Sequence, residues 1–180
     1  HENRARGMLL RTGNGLVENN RLYKTQGAAI LIQVDVAPLW AEGTGLENLL
    51  IRNNVFDTCN VNDWSALIDF SVSIPGGTPA EPLFRNIEFS NNSFIDFPSR
   101  SFFISSAENI KIDNNTFENL TPRKKESPLR ETIWIQQSKT VEIMNNKYKR
   151  SELISDPLQI MIAEEGQPGI LTEYGNTIID

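Results

Sequence analysis

Short stretches in which apolar and polar residues alternate recur along the chain, and five of them end in an Asn-Asn pair. The pairs begin at Asn19, Asn53, Asn91, Asn114 and Asn145, in steps of 34, 38, 23 and 31 residues. Alternation with a period of two is typical of β-strands, and no long segment shows the 3.6-residue period of an amphipathic helix. The pattern therefore predicts a chain built from short strands.

Self-similarity on this scale indicates a repeat architecture. The shortest step, 23 residues, fits three short strands and three tight turns, so the longer steps carry insertions on the same frame. An apolar residue lies two places after each Asn pair, and a second set of apolar strands lies between the Asn segments. This second set covers residues 7–10, 29–32, 66–70, 102–104, 132–135 and 158–162.

We therefore predict an all-β fold, a right-handed parallel β-helix of about five to six coils. Equivalent Asn side chains in stacked coils would lie about 4.8 Å apart and form a ladder of amides. The alternative is a β-sandwich with Asn-rich turns. It is disfavoured because sandwich hairpins favour Asn-Gly and Asp-Gly turns, and the chain contains only one such dipeptide, Asn14-Gly15.

The spacing also predicts four loops, at residues 35–47, 57–65, 73–85 and 120–131, of which the last carries the basic run Arg123-Lys124-Lys125. Insertions on a solenoid often cluster on one face, and that face is often the binding face.

Composition excludes several classes. The net charge is −6 and the basic residues are dispersed, so no nucleic-acid partner is expected. No run of about 20 apolar residues predicts a membrane span. The only His is His1 and the only Cys is Cys59, which argues against a metal site or a His-based triad.

Residues 1–180 are expected to form a single β-helix domain that is a fragment of a longer chain, because the sequence starts without Met inside a structured segment. A solenoid cut between coils exposes apolar surface and strand edges. We expect the N-terminal end to be covered, either by self-association or by its own N-terminal residues.

The first third of the chain resembles glycoside hydrolase family 110, the bacterial exo-acting α-1,3-galactosidases. Five segments carry the resemblance in this order: Asn3-Arg4-Ala5-Arg6-Gly7, Val17-Glu18-Asn19-Asn20, Gly27-Ala28-Ala29-Ile30-Leu31-Ile32, Trp40-Ala41-Glu42-Gly43 and Ile51-Arg52-Asn53-Asn54-Val55-Phe56. The resemblance is specific over about residues 1–60 and generic for β-helices beyond.

By this resemblance the parent protein would remove terminal α-1,3-linked galactose from glycans with inversion, without a metal or a cofactor. A periplasmic, secreted or cell-surface location in a bacterium is expected. The family's catalytic acid and base are Asp residues that include an adjacent pair upstream of the Asn-Arg-Ala-Arg-Gly segment. This sequence contains no Asp-Asp dipeptide. The resemblance therefore implies that the catalytic residues precede His1 and that the chain alone is inactive.

Glu42 is the best candidate for a catalytic role, because a Trp beside a carboxylate suits a sugar site. The alternative is an ordinary loop Glu, with Trp40 covering the core. Asp35 ends the strand of residues 30–34 and either points into the same cleft or caps a turn. If Ala5 faces the core, Arg4 and Arg6 both point outward, where they could bind a carboxylate or sugar hydroxyls or form structural ion pairs.

Asp63, Trp64 and Asp69 form a second acidic and aromatic group one coil later. Asp69 lies in an apolar strand and should face outward, because an unpaired buried charge is costly. It either lines the same groove as Glu42 or is a simple surface residue. Trp134, between two Ile residues, should also face outward as a sugar platform or an interface residue.

Two other functions stay open. One is a non-catalytic carbohydrate-binding or adhesin-type β-helix. The other is a different β-helix enzyme, such as a polysaccharide lyase or polygalacturonase. A lyase commonly uses Ca²⁺ held by an acidic cluster, and none stands out in the sequence.

Overall fold

The structure, a computed structural model, describes residues 4–98, 100–119, 132–149, 158–162 and 171–179. These residues form strands numbered β1 to β19 in chain order, which assemble into three sheets. Sheet A contains β1 (Met8–Leu10), β4 (Ile30–Ala37), β5 (Trp40–Glu42), β8 (Ile68–Ser73), β11 (Phe102–Ser105), β14 (Ile133–Gln136) and β17 (Ile160–Ile162). Sheet B contains β2 (Gly15–Glu18), β6 (Leu46–Arg52), β9 (Phe84–Ser90), β12 (Ala107–Asp113), β15 (Lys139–Met144) and β18 (Leu171–Tyr174). Sheet C contains β3 (Arg21–Tyr23), β7 (Val55–Asp57), β10 (Ser93–Ile95), β13 (Thr116–Glu118), β16 (Lys147–Lys149) and β19 (Thr177–Ile179).

Each coil of the chain contributes one strand to each sheet, and the strand pairs with the equivalent strands of the neighbouring coils. All of these pairs are parallel, as in Ile30 opposite Ile68 and Phe94 opposite Phe117. The one antiparallel pair of the described strands is β4 with β5. Three parallel sheets stacked over six coils confirm the predicted parallel β-helix. The second set of apolar strands forms sheet A, and the Asn segments form sheet B.

The core lies between the three sheets and contains a column of aromatic rings. The apolar residue two places after each Asn pair points inward from sheet C. Phe56, Phe94, Phe117 and Tyr148 stack with centroid distances of 5.1, 4.8 and 4.5 Å. These distances are close to the spacing between parallel strands, because in-register coils place equivalent side chains directly above one another. Burial raises the pKa of the Tyr148 hydroxyl.

The predicted Asn ladder exists and is formed by the second Asn of each pair. The side-chain amide of Asn92 donates to Oδ1 of Asn115 at 3.0 Å, and that of Asn115 donates to Oδ1 of Asn146 at 3.0 Å. The same amide of Asn115 also donates to the carbonyl of Phe89 at 2.9 Å. The first Asn of each pair has a φ between 54° and 58°, in the left-handed region, which Asn tolerates well.

The ladder continues into a sixth coil that the Asn-Asn pattern does not reveal. The Asn146 amide donates to Oδ1 of Asn176 at 3.0 Å. Gly175 takes the place of the first Asn with a φ of 66°. A second, exposed ladder joins Asn48 to Asn14 and Asn86 to Asn48, at 2.9 and 3.0 Å. Its members lie five residues before the first Asn of each pair, a spacing that would have predicted this second ladder.

Among the described residues, the insertions lie at the two corners that border sheet A. Residues 38–45 and 74–83 connect sheet A to sheet B, and residues 58–67 connect sheet C to sheet A. The loop predicted at residues 35–47 is wrong in part, because residues 35–37 and 40–42 are strands of a hairpin. The loop predicted at residues 120–131 lies outside the described residues.

Candidate functional site

The outer face of sheet A combines apolar side chains with amides and hydroxyls. One row runs across the coils and contains Leu9, Leu31, Asp69, Phe103, Trp134 and Met161. A second row beside it places Gln33 opposite Ser71 and Ser105 opposite Gln136.

The outer face of sheet B differs, because it carries alternating charges such as Glu88, Lys111 and Glu142 in register. Charges that alternate in this way pair across the coils and suit contact with water. Sheet A is therefore the better candidate for a binding face.

The hairpin of β4 and β5 brings three of the predicted site residues together. Asp35 lies directly opposite Glu42, and Ala37 lies opposite Trp40. Directly opposed residues of an antiparallel pair share a face, and this face is the outer one because Val34, the neighbour of Asp35, is buried. Trp40 is 58 % exposed. Asp35 thus lies within β4 and not at the end of a strand, and Glu42 lies in β5 and not in a loop.

Arg11 completes this group and was missed in the sequence. Its guanidinium forms an ion pair with the Glu42 carboxylate through Nη1, and its Nη2 donates to Oε1 of Gln33 at 2.9 Å. The register of the strands accounts for this contact: Leu9 lies opposite Leu31, so Arg11, two places further, lies beside Gln33.

Arg4 and Arg6 lie in a bend that precedes β1, at the corner between sheets C and A. The premise that Ala5 faces the core is wrong, because Ala5 is exposed together with both arginines. The backbone explains the bend: the Ala5 carbonyl accepts a hydrogen bond from the Gly27 amide at 3.1 Å, so the segment stacks on the next coil without forming a strand.

Asp63, Trp64 and Asp69 lie in or beside the loop of residues 58–67, one coil further. Trp64 is 70 % exposed. Asp69 occupies an outward position between the core residues Ile68 and Phe70, as predicted, yet it is only 9 % exposed. Burial raises the pKa of Asp69 to about 6, although a hydrogen bond with Ser65 and the charge of Arg100 oppose the shift. Asp69 Oδ1 has no hydrogen-bond partner among the described residues.

Trp134 faces outward between the buried Ile133 and Ile135, as predicted. Its ring is not a free platform, because the Arg100 guanidinium lies over it at 4.4 Å from the centroid. Phe103 packs beside it at 4.9 Å. Arg100, itself 7 % exposed, was missed in the sequence because it follows a strand of another sheet and no local pattern links it to Trp134.

The arrangement suits the recognition of a sugar. Exposed aromatic rings stack on the apolar faces of sugar rings, and carboxylates and amides bind hydroxyls. Trp40 and Trp64 lie at opposite ends of the sheet A strands, with Asp35, Glu42 and Gln33 on the outer face between those ends. Within the described ranges, no group of three or more His, Cys, Asp or Glu residues could hold a metal ion. The part of the chain that the structure describes also contains no helix long and apolar enough to cross a bilayer.

The protein is thus a parallel β-helix whose outer face carries carboxylates and aromatic rings. The chain is 32 % identical over 148 residues to alpha-1,3-galactosidase B of Bacteroides thetaiotaomicron, a match that covers 80 % of this chain and 24 % of that protein. It is 31 % identical over 115 residues to alpha-1,3-galactosidase A of Shewanella woodyi, covering 63 % of this chain and 18 % of the relative. It is 33 % identical over 114 residues to alpha-1,3-galactosidase A of Bacteroides fragilis, covering 62 % and 19 %.

These similarities confirm the resemblance to the α-1,3-galactosidases and show a relationship to glycoside hydrolases. The similarity covers up to 80 % of the chain and therefore extends well past residue 60. The chain spans about a quarter or less of the length of these curated relatives. A scan against protein-family models finds no match.

Proposed function

We propose that this chain is the C-terminal β-helix portion of a glycoside hydrolase that removes terminal α-1,3-linked galactose from glycans with inversion. Glu42 contacts the sugar on the outer face of sheet A, and Trp40 stacks against it. The catalytic Asp residues lie in a segment that precedes this chain in the parent protein. The observation that carries the proposal is the hairpin, which places Asp35, Trp40 and Glu42 on one face in a chain similar to the α-1,3-galactosidases.

An inverting glycosidase needs one carboxylic acid to protonate the leaving oxygen and one carboxylate to activate water, roughly 6.5–9.5 Å apart. Asp35 and Glu42 lie directly opposite one another on neighbouring strands. Their side chains therefore leave the same face of the hairpin side by side. The acid and the base of an inverting enzyme act on opposite faces of the sugar ring, so this arrangement favours joint binding of sugar hydroxyls. This supports assigning the acid and the base to other residues.

The proposal is tested with the full-length protein and an α-1,3-galactosyl disaccharide. Glu42→Gln keeps the size of the side chain and removes its charge, and we expect kcat/KM to fall about tenfold to a hundredfold, as for the loss of a hydrogen bond to a charged group. Glu47→Gln is the matched control, because Glu47 lies only five residues away but points outward from sheet B. Equal activity of the Glu42→Gln variant and the wild type would contradict the role of Glu42.

The 180-residue chain by itself should show little turnover of the same disaccharide, because the proposed catalytic residues are absent from it. Robust hydrolysis by this chain would overturn that assignment. We also propose that the parent protein is periplasmic or exposed at the surface of a bacterium. Self-association through the first coil stays a prediction, and size-exclusion chromatography of the chain at several concentrations would test it.

A non-catalytic glycan-binding β-helix is the second candidate function. It is favoured by the exposure of Trp40, in strand β5, and of Trp64, in the loop of residues 58–67. Binding of an α-galactosyl glycan by the full-length protein without any release of galactose would favour this function over hydrolysis.

A further inference from the structure

The ion pair of Arg11 with Glu42 joins the first coil to the hairpin of the second. Arg11 follows β1, and Glu42 is the last residue of β5. The guanidinium uses one nitrogen for Glu42 and another for Gln33, whose Oε1 lies 2.9 Å away. The Arg11 side chain is 24 % exposed and that of Glu42 is 49 % exposed. The arginine is thus the more enclosed partner and is held at two points.

The hairpin on its own would be unfavourable for two ionised acids. Asp35 and Glu42 are directly opposite and on the same face, and like charges in such positions repel. Arg11 places a positive charge beside the pair. It also limits the rotamers of a long Glu side chain that is half exposed and would otherwise sample many conformations.

Arginine suits this task better than lysine, because its planar fork can bind a carboxylate and an amide oxygen at the same time in fixed directions. Gln33 fixes the plane of the guanidinium, and the guanidinium in turn fixes the Glu42 carboxylate. A carboxylate that is fixed before the sugar arrives does not lose conformational freedom on binding, and small misplacements of such groups are costly for catalysis.

We propose that Arg11 is a positioning residue: it acts through Glu42 by holding that carboxylate in the orientation that receives the terminal sugar, with Gln33 as the second anchor. This inference rests on the proposed function, because it assigns Arg11 a role in the reaction only if Glu42 contacts substrate.

The test uses the full-length protein with the variants Arg11→Gln, Arg11→Lys, Glu42→Gln and the double variant, each assayed for kcat and KM on the α-1,3-galactosyl disaccharide. Arg21→Gln is the matched control. Arg21 also joins the first coil to the second by an ion pair, with Asp57 at 2.6 Å, but it lies on sheet C and away from the site. Thermal unfolding of every variant reports whether a loss of activity reflects stability.

We expect Arg11→Gln to lower kcat/KM about tenfold to a hundredfold, because a displaced carboxylate is a geometric loss. The kcat/KM of Arg11→Lys should lie between the values of Arg11→Gln and the wild type, since lysine keeps the charge but lacks the planar guanidinium. The double variant should be no worse than Glu42→Gln alone, because Arg11 acts only through Glu42. Arg21→Gln should shift the unfolding temperature no more than Arg11→Gln, because the Arg21 side chain is 65 % exposed, and should leave kcat/KM within about twofold of wild type.

Three results would overturn the inference while leaving the proposed function intact: Arg11→Gln with wild-type kcat/KM, losses that multiply in the double variant, or a loss that disappears when Arg11→Gln is assayed well below its unfolding temperature. In each case Glu42→Gln would still be impaired. If instead the wild-type protein does not hydrolyse the disaccharide, or Glu42→Gln is fully active, the proposed function itself fails.

Discussion

The interior Asn ladder should be a main source of stability, and Asn115 is its best test. Its amide donates to the Phe89 carbonyl and to Oδ1 of Asn146, at 2.9 and 3.0 Å. Its Oδ1 accepts from the backbone amide and the side-chain amide of Asn92, at 2.9 and 3.0 Å. Asn115 is only 1 % exposed, so water cannot replace these partners. Asn115→Ala removes all four bonds and leaves the Asn92 backbone N–H buried without an acceptor.

The magnitude follows from the bonds. Each intramolecular hydrogen bond contributes about 1 kcal/mol net, and a buried group left without a partner costs about 1–3 kcal/mol. Three of the lost bonds give about 3 kcal/mol and the orphan Asn92 N–H adds about 1–3 kcal/mol, so we expect a loss of about 4–6 kcal/mol in the free energy of unfolding. That is a large share of the roughly 5–15 kcal/mol of a typical domain.

Urea denaturation followed by circular dichroism measures the change. Asn114→Gly is the matched control, because Asn114 is the exposed neighbour with a φ of 54°, a conformation that glycine adopts freely. We expect this control to cost less than about 1 kcal/mol. If the free energy of unfolding of Asn115→Ala lies within about 1 kcal/mol of the wild-type value, the ladder follows from the coil and does not stabilise it.

Three further predictions concern the face of sheet A and the core. Burial raises the pKa of Asp69 from 3.8 to about 6, so its contribution to stability is fully present below about pH 4 and is lost as the pH rises through 6, on the order of 3 kcal/mol in total. Asp69→Asn should lose less stability than wild type between pH 4 and 7, and parallel urea midpoints across that range would contradict this. Cys59 is 0 % exposed and burial raises the pKa of its thiol, so a thiol reagent at pH 8 should label it only in urea. Rapid labelling of the folded chain would show that the connection of residues 58–67 opens. Trp40→Ala should weaken glycan binding about tenfold in a fluorescence titration of the full-length protein and leave the unfolding temperature unchanged, because Trp40 is 58 % exposed; an unchanged affinity would remove Trp40 from the site.

Much of the fold could be predicted because the coils repeat the same pattern of residues. One apolar residue lies two places after each Asn pair, as at Phe56, Phe94 and Phe117. Because the strands pair in parallel and in register, these residues stack in one column. The sixth coil lies within the predicted range of five to six, but its Asn turn was missed because Gly175 replaces the first Asn. Both residues can adopt a positive φ, but only Asn appears in the Asn-Asn pattern.

The site was harder to predict, because contacts between coils depend on insertions of unequal length. Glu42 lies 31 residues from Arg11 but Gln33 only 22, so no fixed spacing reveals the group. The spacing of the repeats predicted a loop at residues 35–47, whereas tertiary pairing extends β4 and adds β5. The error at Ala5 is the opposite one. The alternation of Arg4, Ala5 and Arg6 suggested a strand, but the segment is a bend whose backbone bonds to the next coil.

The stereochemistry of galactose release tests the central claim most directly. ¹H NMR of the full-length protein with an α-1,3-galactosyl disaccharide, recorded before the product mutarotates, reports which anomer forms first. We expect β-galactose to appear first with the wild type, and the Glu42→Gln variant to release it far more slowly. Release of α-galactose first, or no release of galactose at all by the wild-type protein, would contradict that claim.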